Sequence, residues 1–394
     1  MSEPINIDAL IVGGGCAGLF ALRAMRAAGM SALLVENNSL GFGQTTASQG
    51  ILHAGVKYSL GGLAGDDAKE ASEAALEWVD MLDATKGNLN NVRVLTRECY
   101  LWRTSGVRGA AGMLGAKLAL RTRPEALDDA LRPAWLAGVS GEVLTLGETV
   151  IDPISLLSEL AKPHARCLLQ GCVTNVRQNK NNVDIEIESS RRVCVRARHL
   201  ILSAGVGNQD ILGLANIADT PMQRRPLRQA MIRGALPMVF GHCIDGAKTR
   251  ITVTSDCVGD VASDVVWHVG GQIAEDGTAM SESEFAVYAM TEIKKCVPAL
   301  AFKGCEFSSY PVIRAEPRTG DGRRPPKAFT STCANVTTMW PVKLVLAPMA
   351  AAAMMKQLSI TAPAAREPLH WPADLARPVL AARPWDTAQW NPIA

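Results

Sequence analysis

Ile7-Asp8-Ala9-Leu10-Ile11-Val12-Gly13-Gly14-Gly15-Cys16-Ala17-Gly18-Leu19 is the stretch from which the remaining chain can be read. Ile7, Ala9, Leu10, Ile11 and Val12 make a nearly unbroken apolar run, the pattern of a parallel strand covered on both faces. Glycines then hold G-x-G-x-x-G register at Gly13, Gly15 and Gly18. Gly13 permits a tight turn, and Gly15 lets a pyrophosphate approach the backbone. Gly18 lets the next helix pack closely on the strand, so that its positive N-terminal end faces the phosphates. Such a glycine pattern alone is weak evidence, but here its context is complete. Leu19 to Ala28 is helix-like, Gly29 stops it, and a second apolar strand, Ala32-Leu33-Leu34-Val35, ends at Glu36. An acid about 20 residues beyond the glycines is placed to take a ribose hydroxyl of a dinucleotide's adenosine half.

With 394 residues the chain is long enough for two domains. Its net charge of +2 and the absence of any basic run argue against nucleic acid as a partner. Ten cysteines form no C-x-x-C pair, and no metal is expected. The first strand begins within a few residues of Met1, so a cytoplasmic protein without a signal peptide is expected. No apolar stretch reaches the roughly 20 residues of a membrane span; the shorter run Leu344 to Met355 reads as a buried helix.

Between Leu40 and Tyr58 the chain is dense in glycine and small polar residues, as a ligand-approaching loop would be. Asp66 to Thr85 has helical spacing, with Ala71, Ala75, Trp78 or Val79 and Leu82 on one side. Asp152-Pro153 starts another helix as N-cap and first residue. Strand patterns follow at Cys172 to Arg177, Val183 to Glu188, Val193 to Ala197 and Leu200 to Leu202, the last leading into Ser203-Ala204-Gly205. Residues 205–210 lack the third glycine of a second dinucleotide fingerprint, which argues against a nicotinamide. Gln229 to Gly271 alternates as an antiparallel sheet would, Glu282 to Val297 is helical, and Pro311 to Lys327 reads as a loop rich in proline, glycine and arginine. After Thr361 a tail of Pro, Ala and Trp reads as a strapped-down extension. The expected fold is mixed α/β: a Rossmann-like domain with a parallel sheet and an inserted domain with a largely antiparallel sheet. The first takes 1–82, 148–212 and 326–361, the second 83–147 and 213–325, and the extension 362–394.

With Gly13, Gly15 and Gly18, Glu36, the loop Ser48 to Gly55, Asp152-Pro153 and Leu200 to Gly205 in place, the chain resembles the D-amino-acid-oxidase-type FAD-dependent oxidoreductases as far as about Leu358. Gly50 to Tyr58 is similar to the loop beside the flavin in glycerol-3-phosphate dehydrogenases and L-2-hydroxyglutarate dehydrogenases. Trp340-Pro341-Val342-Lys343-Leu344 stands where the glycerophosphate enzymes have a glycine-glycine-lysine-leucine run. The resemblance implies bound FAD, with Cys16, Ala17, Thr45, Thr46, Ser48, Gln49, Gly50, Val173, Ala204, Gly205, Val342, Lys343 and Leu344 joining the glycines and Glu36 around it. It implies a substrate site of His53, Lys57, Tyr58, Arg314 and Lys343. Relatives that join a histidine covalently to the flavin carry an aromatic residue just before it; here that residue is Leu52, so non-covalent FAD is expected.

Oxidising a C–H bond next to oxygen or nitrogen requires the carbon near the flavin, a base or deprotonated heteroatom, and positive potential beside the flavin's N1–C2=O edge. Val342 and Lys343 are expected to start a helix whose amides supply that potential. Arg314 would grip a carboxylate or phosphate; its bland alternative is a surface arginine. His53 is placed to pack on the flavin or act as base, and His242 and His268 are candidates that equally suit hydrogen-bonded core positions. The leading expectation is oxidation of a CH–OH group in a small anion, a 2-hydroxy acid or a glycerol-3-phosphate-like molecule. Oxygen, a quinone or a protein would accept the electrons, with the enzyme peripheral to the membrane in the quinone case. An amine or amino-acid oxidase comes second, and a flavin-bearing protein with a non-oxidative role third.

Overall fold

The computed structural model describes residues 3–53, 66–85, 87–104, 125–139, 141–218, 222–245, 248–259, 261–322, 325, 327–358 and 370–393. Ile5–Val12 is the central strand of the first sheet, its residues 7 to 12 all buried. Parallel strands flank it on both sides, Ala32–Glu36 on one and Arg192–Leu202 on the other. Leu168–Gln170 and Val336–Trp340 extend the parallel array, and Phe329–Cys333 lies antiparallel at its edge. Strands placed this way have no solvent face, which is why they read as unbroken apolar runs. Helix Cys16–Ala27 packs against both Pro153–Ala161 and Ala347–Gln357. The first of these two starts as expected, with Asp152 Oδ1 accepting from the Ile154 amide at 3.0 Å.

Arg192–Leu202 is one strand, where the sequence suggested two. Its arginines caused the misreading: Arg192, Arg196 and Arg198 fall on alternate, outward positions, which a half-exposed strand tolerates. The first half pairs antiparallel with Val183–Glu188, and from Val195 to Leu202 the strand runs beside Ile5–Val12. In helix Asp66–Met81, among the described side chains, Ala74 and Trp78 are buried and Val79 points outward, while Ala71 lies outside the described side chains.

Among the described residues the second sheet has nine strands, antiparallel except where Gly241–Asp245 runs parallel to Cys99–Arg103. Its central members are Met222–Gly234, Val261–Gly270 and Lys248–Val258, with Glu306–Pro317 beside the first. The pleat sorts their side chains. Ala230, Ile232, Trp267, Val269, Ile251 and Val253 face one way and form a core with Phe285, Ala289 and Ile293 of helix Glu282–Cys296. The opposite face carries Arg225, Leu227, Gln229, Val312, Tyr310, His268 and Thr254, a far more polar set.

Arg314 belongs to strand Glu306–Pro317, not to a loop. Pro311 suggested a break, but the neighbour beyond it, Asn391–Pro392, bonds only Glu306 and Phe307, so Pro311 sits where the strand is an edge and needs no second ladder bond.

The tail touches both sheets. The indole of Trp371, 2% exposed, donates to Leu34 O at 3.2 Å, and Leu40 exchanges backbone bonds with Val379 and Ala381. Arg383 then enters an ion-pair group in which Asp152 accepts from Arg93 at 3.0 Å and from Arg383 at 2.7 Å. Asp256, on the second sheet, accepts from Arg93 Nη1 at 2.8 Å. Asp152 and Asp256 are nearly buried, so two carboxylates depend on two arginines for solvation. Among the described residues no helix is long and apolar enough to cross a membrane. Replacing Arg93 by methionine should destabilise the chain by about 2 kcal/mol, below the usual cost of breaking a buried pair because Arg93 is partly exposed. A urea unfolding midpoint that does not move would refute this role for the group.

Candidate active site

A cleft opens where the glycine turn meets the second sheet. Gly15, Cys16, Ala17, Thr45 and Ser48 line one side, with Ser203 and Gly205 at the next strand end. The glycines serve different ends. A side chain on Gly18 would run into the carbonyl of Gly13, and one on Gly13, at φ +108°, would lie 2.6 Å from the Ser203 carbonyl carbon. A side chain on Gly15 would meet only Thr45 Oγ1, at 3.1 Å, so Gly15 keeps room open on the cleft side. The helix it caps has no acid in its first turn, leaving the positive end of its dipole for an anion. Glu36 stands at the adjacent strand end, its Oε2 accepting from the Gly14 amide at 2.6 Å. A dinucleotide fits these features: a bare backbone and helix end for phosphates, and a carboxylate beside them for a ribose. Burial pushes the Cys16 thiol up against the opposing Thr45 hydrogen bond, so Cys16 is a neutral packing group.

Other expected cofactor residues shape the loop rather than line the cleft. Thr46 Oγ1 donates to the carbonyls of Gly41 and Gly43 at 3.1 and 3.3 Å. Gly50 holds φ +70° with no room for a Cβ against Ile151 O. The Ala204 amide donates to Asn208 Oδ1 at 2.6 Å. Val173 lies on strand Cys172–Gln178, opposite Ile187, away from the glycine turn's own lining.

Trp340, Pro341, Val342, Lys343 and Leu344 also line the cleft. Val342 and Lys343 do not start the helix. Val342 has φ +55° and the Lys343 amide bonds back to Pro341 O at 2.7 Å, which makes a tight turn. The first helical turn is Leu344–Leu346, and the α-helix begins at Ala347. Lys343 is 8% exposed and borders the cleft.

The floor is the polar face of the second sheet. Leu227, Gln229, Val312 and Arg314 line the cleft, and Leu227, Gln229 and Arg314 also border a second, polar cavity with Gln49, Arg225, Lys248, Gln272 and Glu275. Arg314 thus stands where the two meet. Its register partner is Arg225, whose charge is met by Glu275 at 3.2 Å and by the buried Glu316 at 3.3 Å. Gln49 Nε2 donates to Thr252 O at 2.8 Å and His268 O at 2.7 Å, stapling the loop to the sheet. Gln44 Oε1 accepts from the Ala315 amide at 3.0 Å for the same effect. Burial pushes His268 down to about 4, so it is neutral at pH 7. The Tyr310 hydroxyl lies 2.7 Å from its Nε2, and burial pushes that phenol up.

His53 does not line the cleft. It closes strand Ile51–Leu52, and its Nδ1 lies 3.4 Å from Oε1 of Glu148. The other oxygen of Glu148 takes His242 Nε2 at 3.0 Å, and His242 Nδ1 meets Thr252 Oγ1 at 2.9 Å. Glu148 is 0% exposed; burial would raise its carboxyl, but the two histidines outweigh it and hold it well below the usual carboxylate range. Sequence reasoning missed Glu148, Gln44, Gln229 and Tyr310. Alternation would have put Gln229 and Tyr310 on one face, but nothing local marks Glu148, whose partners are distant in sequence. Lys57 and Tyr58 lie outside the described residues.

Comparison with known proteins shows the family. The family described as FAD dependent oxidoreductase matches residues 8–301. The probable FAD-dependent oxidoreductase PA4991 of Pseudomonas aeruginosa is 34% identical over 98% of this chain and 100% of its own length. The crystal structure of PA4991 covers 98% of this chain and 99% of its own, with a TM-score of 0.81 at 31% identity. At the level of fold alone, L-α-glycerophosphate oxidase from Mycoplasma pneumoniae gives a TM-score of 0.66 at 15% identity, covering 90% of this chain and 95% of its own. Glycine oxidase from Geobacillus kaustophilus gives 0.65 at 13% identity with the same coverage. This chain belongs to the D-amino-acid-oxidase family of FAD-dependent oxidoreductases.

Proposed function

We propose that the enzyme binds FAD without a covalent link and oxidises a CH–OH group of a small anion, either a 2-hydroxy acid or a glycerol-3-phosphate-like molecule. Bound FAD supplies the hydride acceptor. The observation that carries the reading is the position of Arg314, fixed on a strand at the junction of the cleft and the polar cavity. From there its guanidinium can hold a carboxylate or phosphate bidentately, so that the carbon to be oxidised lies in the cleft. The cavity favours an anion: Arg225, Lys248 and Arg314 border it, against Glu275 and the Glu316 that meets Arg225 from behind. Lys343 adds positive charge at the same cleft. Neutral His268 pairs with the Tyr310 hydroxyl at 2.7 Å on the same polar face of the sheet. Lys57 and Tyr58 would complete the grip on the distal group.

A second reading is an amino-acid or amine oxidase, because Arg314 would hold an amino acid's carboxylate in the same way and glycine oxidase shares the fold as closely as glycerophosphate oxidase does. Mixing the enzyme anaerobically with each substrate class separates the two. Loss of the yellow absorbance with hydroxy acids or polyol phosphates and not with amino acids supports the first reading, and the reverse result replaces it with the second.

Three outcomes follow from these residues. Gly15→Val should leave a folded protein without FAD, whereas Gly18→Val should unfold or fail to accumulate, since its side chain meets the Gly13 backbone. Equal FAD content in wild type and Gly15→Val would refute the phosphate role. Acid precipitation should release the yellow chromophore into the supernatant, and a flavin adduct mapped to His53 would contradict non-covalent binding. Arg314→Met should lower kcat/KM by about tenfold to hundredfold, the loss of a charge-assisted contact of about 1.5–3 kcal/mol. An unchanged kcat/KM for the preferred substrate would remove Arg314 from the site.

A further inference from the structure

Glu148 is a carboxylate with no exposure to water, and it precedes strand Thr149–Ile151, which pairs with Ile51–Leu52. Both of its oxygens meet imidazole nitrogens, Oε1 at His53 and Oε2 at His242. Among the described residues the other groups facing it are weak. The Cys99 thiol donates to the Glu148 carbonyl at 3.6 Å and is pushed up by burial, by Glu148 and by nearby Glu98, so it stays neutral. Thr252 offers His242 a hydroxyl. The balancing charge therefore falls to the histidines, because a bare carboxylate in so dry a place costs several kcal/mol. His242 is 2% exposed and has a hydrogen-bond partner on each nitrogen, one of them the neutral hydroxyl. His53 is 17% exposed at its side chain, so a second proton is less costly there.

The place of His53 gives this charge a use. His53 directly follows strand Ile51–Leu52, which touches the turn Leu344–Leu346; Leu344 of that turn and Ser48, three residues before the strand, both line the cleft. We propose that Glu148 is a positioning residue for the cofactor cleft: from full burial it orients His53 through Nδ1 and keeps that ring an imidazolium, a fixed positive group beside the cleft in addition to Arg314 and Lys343. His53 is then a charge-bearing group and not the base of the reaction. The role beside the cofactor rests on the FAD reading above; the Glu148–His53 pairing does not.

The test is imidazole nitrogen NMR on the full-chain, FAD-loaded protein with labelled histidine, with signals assigned by His53→Gln and His242→Gln. The wild type should show His53 with both nitrogens protonated at pH 7.5. In Glu148→Gln its titration should fall by about one to three pH units, and Glu148→Asp should recover part of the shift. A neutral His53 at pH 7.5 in the wild type overturns the proposal, and that measurement stands even if Glu148→Gln fails to fold. The proposal is equally overturned if His53 titrates alike in wild type and Glu148→Gln, if the extra proton resides on His242, or if the purified protein carries a stoichiometric metal ion lost in Glu148→Gln. Visible absorbance of the same samples keeps the two readings apart. A colourless protein with His53 doubly protonated defeats the FAD reading and supports the pairing.

Discussion

The close approach of helix Cys16–Ala27 to the end of strand Ile5–Val12 at Gly18 is the constraint from which the site follows. A Cβ at Gly18 would overlap the Gly13 carbonyl, so the helix axis can come this near only with glycine there. Ser203 locks the same junction from the neighbouring strand, its hydroxyl donating to the Val12 and Gly13 carbonyls at 3.1 Å each. With the helix end, the turn and the strand ends fixed relative to one another, the first-turn amides face a single point. The cleft is an outcome of backbone packing before any side chain contributes to it.

The second sheet owes its function to the pleat. Period-two alternation gives one face to an apolar core under helix Glu282–Cys296 and leaves the other for Arg314, Gln229, Tyr310 and His268. Such a face would be an ordinary solvated surface if it were not tied to the loop between Leu40 and Ile51. Gln49 and Gln44 provide the ties by bonding to backbone atoms of the sheet. Backbone partners matter here, because they fix the loop's distance from the sheet whatever side chains stand between.

Much of this was legible in the sequence, for reasons that differ by element. The glycine turn, Glu36 and the Asp152 cap are local signals: each depends on neighbours within a turn or at the end of the next strand, and the turn, the strand end at Glu36 and the Asp152 N-cap stand where the sequence places them. Arg314 was legible as a residue but not as a strand position, since Pro311 breaks a strand only where both ladder sides are needed. Glu148 was invisible. Its significance depends on His53, 95 residues before it, and His242, 94 residues after it, and no spacing rule connects positions that meet only through tertiary packing. The tail gave a partial signal: its tryptophans announced burial, but its docking on Leu34 and Leu40 depends on the completed sheet edge.

The turn at Val342 separates local preference from the demands of the site. A β-branched residue at φ +55° lies in a region that costs it about 1–3 kcal/mol, and the glycerophosphate enzymes place glycine in this run. The strain persists because both ends are held. Trp340, 1% exposed, packs with Met222 and Ala315 and donates to Gly205 O at 3.4 Å, while Lys343 caps the turn Leu344–Leu346, its carbonyl accepting from the Leu346 amide at 3.1 Å. Relaxing Val342 to an ordinary helical or extended conformation would swing Lys343 out of the cleft wall or pull Trp340 from its core. The strained turn is thus held by packing at both of its ends, as expected if the direction of the Lys343 peptide, rather than the comfort of Val342, is what the cleft requires.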